Sequence, residues 1–321
     1  MTLRRRWPSW ATVKRWLRWI GLAFAALLVA LTIASLLFNA VTAGRDEAAA
    51  TLYPGPVVRV GDTEIAYRAW GSHGSPLVLL SGFVEPSWVW HLVGARLGHD
   101  HRVYALDLPP FGFSQRHGPF TIAHWRDLVE RFDAALGIRR PVLVGHSLGA
   151  AVAVSVATHA PRRVHGIVLL DGDALPGGSG GAWLSHLLVS PWYTSLYRIA
   201  TDWDWLFRKG LTSAWGSGSP PFTPAFVEEW ERPFRVSGTA SAFASMLSHG
   251  IQGVPVAMLE HVRVPALVAW GSRDTVDSVA AGRRTASLLG APFVEVAGAG
   301  HRSMLERPGL VAAAIERVAR R

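Results

Sequence analysis

The sequence predicts an α/β fold in which a mostly parallel β-sheet is flanked by helices, carries an inserted helical lid and is preceded by one transmembrane helix. From residue 77 onward, short apolar runs alternate with helical patterns, and one long interval breaks the alternation. Continuous apolar strands are buried on both faces, which is typical of parallel sheets with crossover helices. The predicted strands are 77–81, 102–106, 141–145, 164–170, 264–270 and 292–296, and the predicted helices are 121–136, 148–159, 278–289 and 308–320.

The N-terminal region predicts a membrane anchor. Residues 20–41 contain no charged side chain, and a helix of that length spans about 30 Å, the thickness of the hydrocarbon core. Residues 1–19 carry six cations and no acidic residue, so the positive-inside rule places them in the cytoplasm and the remaining domain outside it. The alternative is secretion after signal-peptide cleavage near Val41-Thr42-Ala43, but the apolar run exceeds the usual core of about 7 to 15 residues.

Composition excludes several classes of function. The formal net charge is +9, and the six cations of residues 1–19 leave only +3 for the rest of the chain. No Lys/Arg cluster interleaved with aromatics follows, so we predict no nucleic-acid partner. The chain has no cysteine, which excludes disulfides and cysteine-based zinc sites. No histidine pair has a metal-binding spacing and no glycine loop has a phosphate-binding pattern, so we predict neither a metal nor a cofactor.

The folded part begins after a predicted linker at residues 42–56, which are small, polar and turn-rich. Two alternating runs, 57–60 and 63–70, flank Gly61-Asp62 and predict a β-hairpin. The α/β core is expected to comprise residues 57–171 and 263–321.

The interval 172–262 is predicted to form a lid. It separates two neighbouring strands, whereas a crossover needs far fewer residues. An insertion after a sheet strand lies at the carboxyl ends of the strands, where ligands bind in α/β folds. The interval contains six of the fifteen tryptophans: Trp183, Trp192, Trp203, Trp205, Trp215 and Trp230. The alternative is a subdomain whose tryptophans only pack on one another.

Ser147 is the candidate nucleophile. It lies at the centre of Gly145-His-Ser-Leu-Gly149, between a predicted strand and a predicted helix. A serine in so tight a turn has strained dihedral angles, and glycines two residues to either side allow strand and helix to approach closely. The turn also places the first backbone N–H groups of a helix beside the hydroxyl, where they favour an oxyanion.

Asp274 and His301 are the candidates for activating this hydroxyl. A serine is a poor nucleophile unless a base, typically a histidine oriented by a carboxylate, removes its proton. Asp274 follows strand 264–270 and His301 follows strand 292–296. Since the carboxyl ends of parallel strands meet at one edge of a sheet, we expect all three side chains to converge there.

The three candidate residues occur in the order Ser, Asp, His, and the chain also contains the motif Leu106-Asp-Leu-Pro-Pro-Phe-Gly-Phe-Ser114. On these features residues 57–321 resemble the α/β-hydrolase superfamily. The resemblance is to its lidded branch, which has a serine nucleophile. The resemblance implies the α/β-hydrolase fold, with Ser147 as nucleophile, His301 as general base and then acid, and Asp274 as the orienting carboxylate. It also implies an oxyanion hole made by the backbone N–H groups of Phe83 and Leu148. The family commonly has His-Gly after the first parallel strand, whereas this chain has Ser81-Gly82.

Several other residues are alternatives for these roles or lie close to the candidate residues in the sequence. Asp171 also ends a strand and is an alternative orienting acid. Asp107 is interpreted as a structural residue of its turn. His146 adjoins the nucleophile and cannot act on it from that position, so we interpret it as a packing residue. Tyr193 and Tyr197 resemble the tyrosine pair of epoxide-opening relatives, but without a carboxylate nucleophile they are interpreted as pocket lining.

A serine nucleophile favours acyl transfer, because relatives that open epoxides or displace halide use a carboxylate at this turn. We therefore predict a serine hydrolase that cleaves an apolar or lipid-like carboxylic ester. A C–C bond hydrolase and a cofactor-free peroxidase use the same three residues and are the nearest alternatives. A non-catalytic binding protein that has kept the fold is the alternative of another class, and the intact Ser147, Asp274 and His301 argue against it.

Overall fold

Within residues 9–177, 191–202, 204–217, 222–248, 250 and 252–321, which the computed structural model describes, eight strands form one sheet. They are β1 (Val57–Val60), β2 (Thr63–Trp70), β3 (Pro76–Leu80), β4 (Arg102–Leu106), β5 (Val142–His146), β6 (Gly166–Leu170), β7 (Ala266–Gly271) and β8 (Phe293–Val296). Their order is β1-β2-β4-β3-β5-β6-β7-β8. The pairs β1–β2 and β2–β4 are antiparallel and all the others are parallel. The predicted α/β fold with a mostly parallel sheet is therefore confirmed.

Helices flank this sheet and precede it. They are α1 (Trp10–Thr42), α2 (Ala49–Leu52), α3 (His91–Leu97), α4 (Ile122–Ala135), α5 (Leu148–His159), α6 (Pro191–Asp202), α7 (Asp204–Ser213), α8 (Pro224–Glu231), α9 (Thr239–Ser248), α10 (Val256–Glu260), α11 (Val279–Leu289), α12 (Ser303–Glu306) and α13 (Pro308–Ala319). The short helix α3 was not expected, because its seven residues are too few for a clear helical period.

Two apolar layers cover the two faces of the sheet. Side chains of α4, α5 and α11 pack on one face, where Phe132 and Val152 are fully buried. Side chains of α3 and α13 pack on the other face, where Val93 and Ile315 are fully buried. Strands β3, β5 and β6 have no exposed residue, which explains why apolar residues predominate in each of them.

The helix α1 is the one described helix that is long and apolar enough to cross a membrane. It begins at Trp10, upstream of the uncharged stretch 20–41, and ends at Thr42. Most of its apolar side chains are exposed, whereas Ser35 and Thr42 are buried. The C-terminal part of α1 packs against α6, where Ser35 and Asn39 make hydrogen bonds to the first turns of that helix.

The predicted linker makes contacts with the body of the protein. Tyr53 is buried and its ring stacks on that of Phe113 at a centroid distance of 4.9 Å. The backbone N–H of Glu47 donates to the carbonyl of Arg235 at 2.8 Å, and the N–H of Ser237 donates back to Glu47 at 2.8 Å. These contacts join the segment after α1 to the region between α8 and α9.

The interval between β6 and β7 contains α6 to α10. Trp183 and Trp203, which belong to the predicted lid, lie outside the described residues. Trp230 is fully buried, and its ring packs edge-on to that of Trp88 at 6.5 Å. Ala214 and Gly216 approach the loop after β8, where the N–H of His301 donates to the carbonyl of Ala214 at 3.1 Å.

Candidate active site

Ser147 occupies a strained turn between β5 and α5. Its φ is 49° and its ψ is −119°, a region that residues with a Cβ rarely adopt. Its backbone N–H donates to the carbonyl of Leu170 at 3.0 Å. A Cβ on Gly145 would lie 2.3 Å from the carbonyl oxygen of Gly149, and one on Gly172 would lie 2.4 Å from that of Ser147. Glycine is therefore required at these positions, and Gly172 is one that the G-x-S-x-G pattern did not reveal.

The structure brings Ser147, Asp274 and His301 together at the carboxyl edge of the sheet. Nε2 of His301 lies 3.1 Å from Oγ of Ser147, and Nδ1 of His301 lies 2.8 Å from Oδ2 of Asp274. The side chain of Asp274 is fully buried, and its Oδ1 accepts the backbone N–H groups of Val276 and Asp277 at 2.8 and 3.0 Å. With Oδ1 held by two donors, Oδ2 is aimed at His301. Nδ1 then carries the proton, and Nε2 is free to accept from the serine hydroxyl.

Phe83 and Leu148 both lie beside Ser147 and line the same cavity, whose volume is about 410 Å³. Leu148 is the first residue of α5, so its N–H has no carbonyl partner within the helix. Phe83 follows Gly82 in the loop after β3, and its ring packs edge-on to that of Phe111 at 5.7 Å. The cavity continues along residues 172–177 and the end of α7, and its wall is mostly apolar.

Asp171 is held away from the imidazole of His301. Its Oδ1 accepts the N–H of Gly271 at 2.7 Å, and its Oδ2 accepts the hydroxyl of Ser303. Burial raises the pKa of Asp171 to about 7, although His146 and the hydroxyl of Ser303 oppose this shift. Asp171 therefore braces β7 and α12, and Asp274 is the carboxylate that contacts His301.

Asp107 holds its own turn, as interpreted from the sequence. Its carboxylate accepts the N–H groups of Ser87 and Phe113 at 2.5 and 2.8 Å. Tyr193 and Tyr197 do not border the described cavity beside Ser147. The hydroxyl of Tyr197 instead donates to the carbonyl of Phe234 at 3.0 Å, because this face of α6 packs against the segment after α8.

Sequence reasoning missed Glu85, a buried acid beneath the site. Oε2 of Glu85 accepts the N–H of Gly82 at 3.0 Å and Nδ1–H of His146 at 2.7 Å. Its Oε1 accepts from Nε of Arg302 at 3.3 Å. A carboxyl group that accepts three donors is ionised. A charged residue three positions after Gly82, in an otherwise apolar loop, was the available signal.

His146 is therefore more than the packing residue expected from the sequence. Its Nε2–H donates to the carbonyl oxygen of His301 at 2.6 Å, while its Nδ1 faces Glu85. Since both ring nitrogens face acceptors, the imidazole is doubly protonated. Burial opposes both charges, but their mutual attraction prevails: it raises the pKa of His146 to about 9 and lowers the pKa of Glu85 to about 2. This pair joins the loop of Gly82, the turn of Ser147 and the loop of His301.

This fold, with a serine turn, a histidine and an acid at the carboxyl edge of the sheet, defines the class of α/β hydrolases. The sequence model described as "Alpha/beta hydrolase family" matches residues 77–314, which is more than half of the chain. The chain therefore belongs to the α/β hydrolase family, and the protein is an enzyme, a hydrolase.

The chain is similar to a curated protein and to two solved structures. A Bacillus subtilis protein described as "Uncharacterized hydrolase YugF" is 25% identical over 260 residues, which cover 78% of this chain and 93% of that protein. A crystal structure described as a membrane phospholipase A and bacterial virulence factor is 26% identical, has a TM-score of 0.67 and covers 96% of this chain and 99% of its own. The meta-cleavage product hydrolase of Pseudomonas fluorescens IP01 is 18% identical, has a TM-score of 0.66 and covers 82% and 97% of the two chains.

Proposed function

We propose that this protein is a membrane-anchored serine hydrolase that cleaves an apolar carboxylic ester through an acyl-enzyme. The observation that carries the proposal is the imidazole of His301, whose two nitrogens lie 3.1 Å from Oγ of Ser147 and 2.8 Å from Oδ2 of Asp274. A nucleophile, a base and an orienting acid within hydrogen-bond distance of one another are the arrangement that acyl transfer needs.

In acylation, Oγ of Ser147 attacks the ester carbonyl carbon and Nε2 of His301 takes the hydroxyl proton. The carbonyl oxygen becomes an oxyanion, for which the N–H groups of Phe83 and Leu148 are the donors; each such donor typically contributes about 10²- to 10³-fold in rate. His301 then gives its proton to the leaving alcohol. In deacylation, His301 activates water, which releases the acid and restores Ser147.

Two observations favour an apolar ester as the substrate. The cavity beside Ser147 is bordered by Phe83, Leu148, Ala174 and Leu175, which suit an acyl chain. The membrane phospholipase A is similar over almost the whole of both chains, including the region of α1 in this one. Hydrolysis of a C–C bond and peroxidation would use the same three residues, and a substrate panel separates them.

The anchor and the lid belong to the same proposal. We assign residues 1–19 to the cytoplasm, 20–41 to the membrane span and the catalytic domain to the outside, with 172–262 as the lid. The exposed apolar surface of α1 supports a helix that lies in lipid. The hydrogen bond from His301 to Ala214 supports a lid that closes over the site. A reporter that is active only outside the cytoplasm, fused to the C-terminus, should give signal; an expressed but silent fusion would reverse the orientation.

Labelling with a fluorophosphonate tests the chemistry directly. The full chain should form one covalent adduct, and Ser147→Ala should abolish both the adduct and the hydrolysis of p-nitrophenyl esters. Ser287→Ala, on the exposed side of α11, is the matched control and should label normally. Rates should rise with acyl chain length until the cavity is filled. A folded wild-type chain that gives no Ser147-dependent adduct would leave the non-catalytic binding protein as the better description.

A further inference from the structure

The outer half of α1 carries a polar stripe that an isolated membrane span would not need. Thr32, Ser35, Asn39 and Thr42 recur every three or four residues, so they lie on one face of the helix. Hydrocarbon offers no hydrogen-bond partner to such groups, and polar residues in a span face another part of the protein. The stripe therefore indicates that something packs against α1 at this depth.

The first turns of α6 supply the partners. Oγ of Ser35 lies 2.6 Å from Oγ of Ser195, and Nδ2 of Asn39 donates to the carbonyl of Pro191 at 2.9 Å. Oγ of Ser195 also lies 2.9 Å from Oδ1 of Asn39. Ser35 and Ser195 are both buried by this contact. Ser35 and Asn39 thus find their hydrogen-bond partners on α6, whereas the hydroxyls of Thr32 and Thr42 donate to carbonyls within α1.

Arg198 lies at the end of the same interface that is nearest the C-terminus of α1. Nη1 of Arg198 donates to the carbonyl of Asn39 at 2.6 Å and to Oγ1 of Thr42 at 2.8 Å. Its Nη2 donates to Oδ2 of Asp46 at 3.0 Å. An arginine paired with carbonyl and carboxylate groups at the end of a span suits the boundary between acyl chains and headgroups.

The position of Ser35 sets the depth of α6. The uncharged stretch ends at residue 41, and a helix rises about 1.5 Å per residue, so Ser35 lies about 9 Å inside the outer end of the span. Pro191 and Ser195 contact Ser35 directly. When α1 spans a bilayer, the first turns of α6 lie at the same depth.

Exposed apolar side chains lie on α6, which contacts α1, and on α7, which packs against α6. Leu196 of α6 is 64% exposed and Trp205 of α7 is 60% exposed. On α1, Leu37 and Val41 are also exposed at the level of α6. Large apolar groups exposed next to a membrane span gain by burial in lipid, as in helices that lie in the membrane interface.

We propose that α6 and α7 lie in the outer leaflet of the membrane that holds α1, with Leu196 and Trp205 in contact with lipid. The proposal rests on the anchoring assigned above and adds a route for the substrate. Residues Gly210 and Ser213 of α7 border the cavity of Ser147, and they lie about 8 to 12 Å along the helix from Trp205. An acyl ester dissolved in the leaflet therefore reaches the cavity along a helix that touches lipid.

Single cysteines test the immersion, because the chain has none of its own. Spin labels at Leu196→Cys, Leu37→Cys and Asp100→Cys are compared in the full chain reconstituted in phosphatidylcholine vesicles. Asp100 is exposed and precedes β4, at the edge of the sheet opposite the site. Labels at 196 and 37 should be accessible to oxygen and protected from a water-soluble nickel chelate, and the label at 100 should behave in the opposite way.

The outcomes separate this inference from the proposals on which it rests. If the nickel chelate reaches the label at 196 but not the label at 37, α6 does not lie in the membrane and the anchoring by α1 still holds. If the chelate reaches both labels, neither the immersion of α6 nor the anchoring by α1 holds. Leu196→Glu should slow hydrolysis of an ester embedded in vesicles by about tenfold, equivalent to about 1.4 kcal/mol, and should leave hydrolysis of p-nitrophenyl acetate in detergent unchanged. Equal rates of the variant and the wild type on the embedded ester would also count against the immersion.

Discussion

The substitution Glu85→Gln removes one charge from the buried pair and changes little else in volume. The carbonyl oxygen of the glutamine can still accept from Gly82, but it cannot neutralise the imidazolium of His146. Removing one partner of a buried pair costs about 3 to 5 kcal/mol. A rise in the pKa of His146 from 6.5 to about 9 corresponds to about 3 kcal/mol. Both figures describe the same interaction and are not added, so we expect a loss of about 3 kcal/mol in the free energy of unfolding.

This loss should depend on pH in a defined direction. The pKa of His146 is raised in the folded state, so its contribution is complete below about pH 6.5 and disappears as the pH rises through about 9. The pKa of Glu85 is lowered, so its contribution is present above about pH 4.5 and disappears as the pH falls through about 2. The difference between wild type and variant should therefore be largest near pH 5 to 6 and should shrink by pH 10.

Thermal unfolding of the full chain in detergent, followed by tryptophan fluorescence, measures the effect. For a domain of this size, about 3 kcal/mol corresponds to a fall in Tm of about 6 to 12 °C. Because the pair holds the loops of Gly82 and His301, kcat should fall by about 10- to 100-fold with little change in KM. Glu295→Gln is the control, since its ion pair with Arg283 is exposed and is worth at most about 1 kcal/mol. The reasoning would be refuted if Glu85→Gln lowered Tm and kcat no more than this control does. It would also be refuted if the loss of stability were as large at pH 10 as at pH 5 to 6.

Three further substitutions test the site. Asp274→Asn should lower kcat by about 10⁴-fold, because an amide N–H facing Nδ1 of the histidine favours the wrong tautomer; steady-state kinetics with a p-nitrophenyl ester measure this. Asp171→Asn keeps an acceptor for Gly271 and should lower kcat less than about tenfold. Burial raises the pKa of Asp171 from 3.8 to about 7, so between these values the folded protein keeps a proton that the unfolded chain releases. The wild type therefore loses stability as the pH rises from about 4 to about 7, and the variant should gain stability relative to it over that range in urea titrations. Gly172→Ala forces a Cβ to 2.4 Å from the carbonyl of Ser147, so fluorophosphonate labelling should slow strongly, and unchanged labelling would contradict this packing.

The sheet could be predicted because its strands are short apolar runs that are buried on both faces. The predicted strand 102–106 coincides with β4, and 77–81 differs from β3 by one residue at each end. The strand predicted from residue 164 begins at Gly166 instead. The N–H of His165 donates to the carbonyl of Pro141. Hydrogen bonds between distant chain segments determine where a strand begins, and they cannot be read from the pattern of apolar residues.

Glu85 could not be assigned from the sequence because its role depends on a partner 61 positions away. The sequence shows that His146 adjoins the serine, but not that its ring points between a carboxylate and a carbonyl. The same limit applies to α1, whose polar stripe is visible as a pattern. Its partner, α6, lies about 160 residues further along the chain, and only the folded structure brings the two together.

The position of the proposed base depends on the region inserted between β6 and β7 as well as on the sheet. Nη1 of Arg302, next to His301, donates to the carbonyl of Leu211 in α7 at 3.1 Å, and its guanidinium lies 4.8 Å from the ring centroid of Trp230 in α8. The other side of the same guanidinium donates to Glu85. A displacement of α7 would therefore pull on the segment that carries the imidazole and on the carboxylate that steadies it. Because α7 also borders the cavity, we expect a ligand that displaces α7 to disturb the alignment of His301 through Arg302.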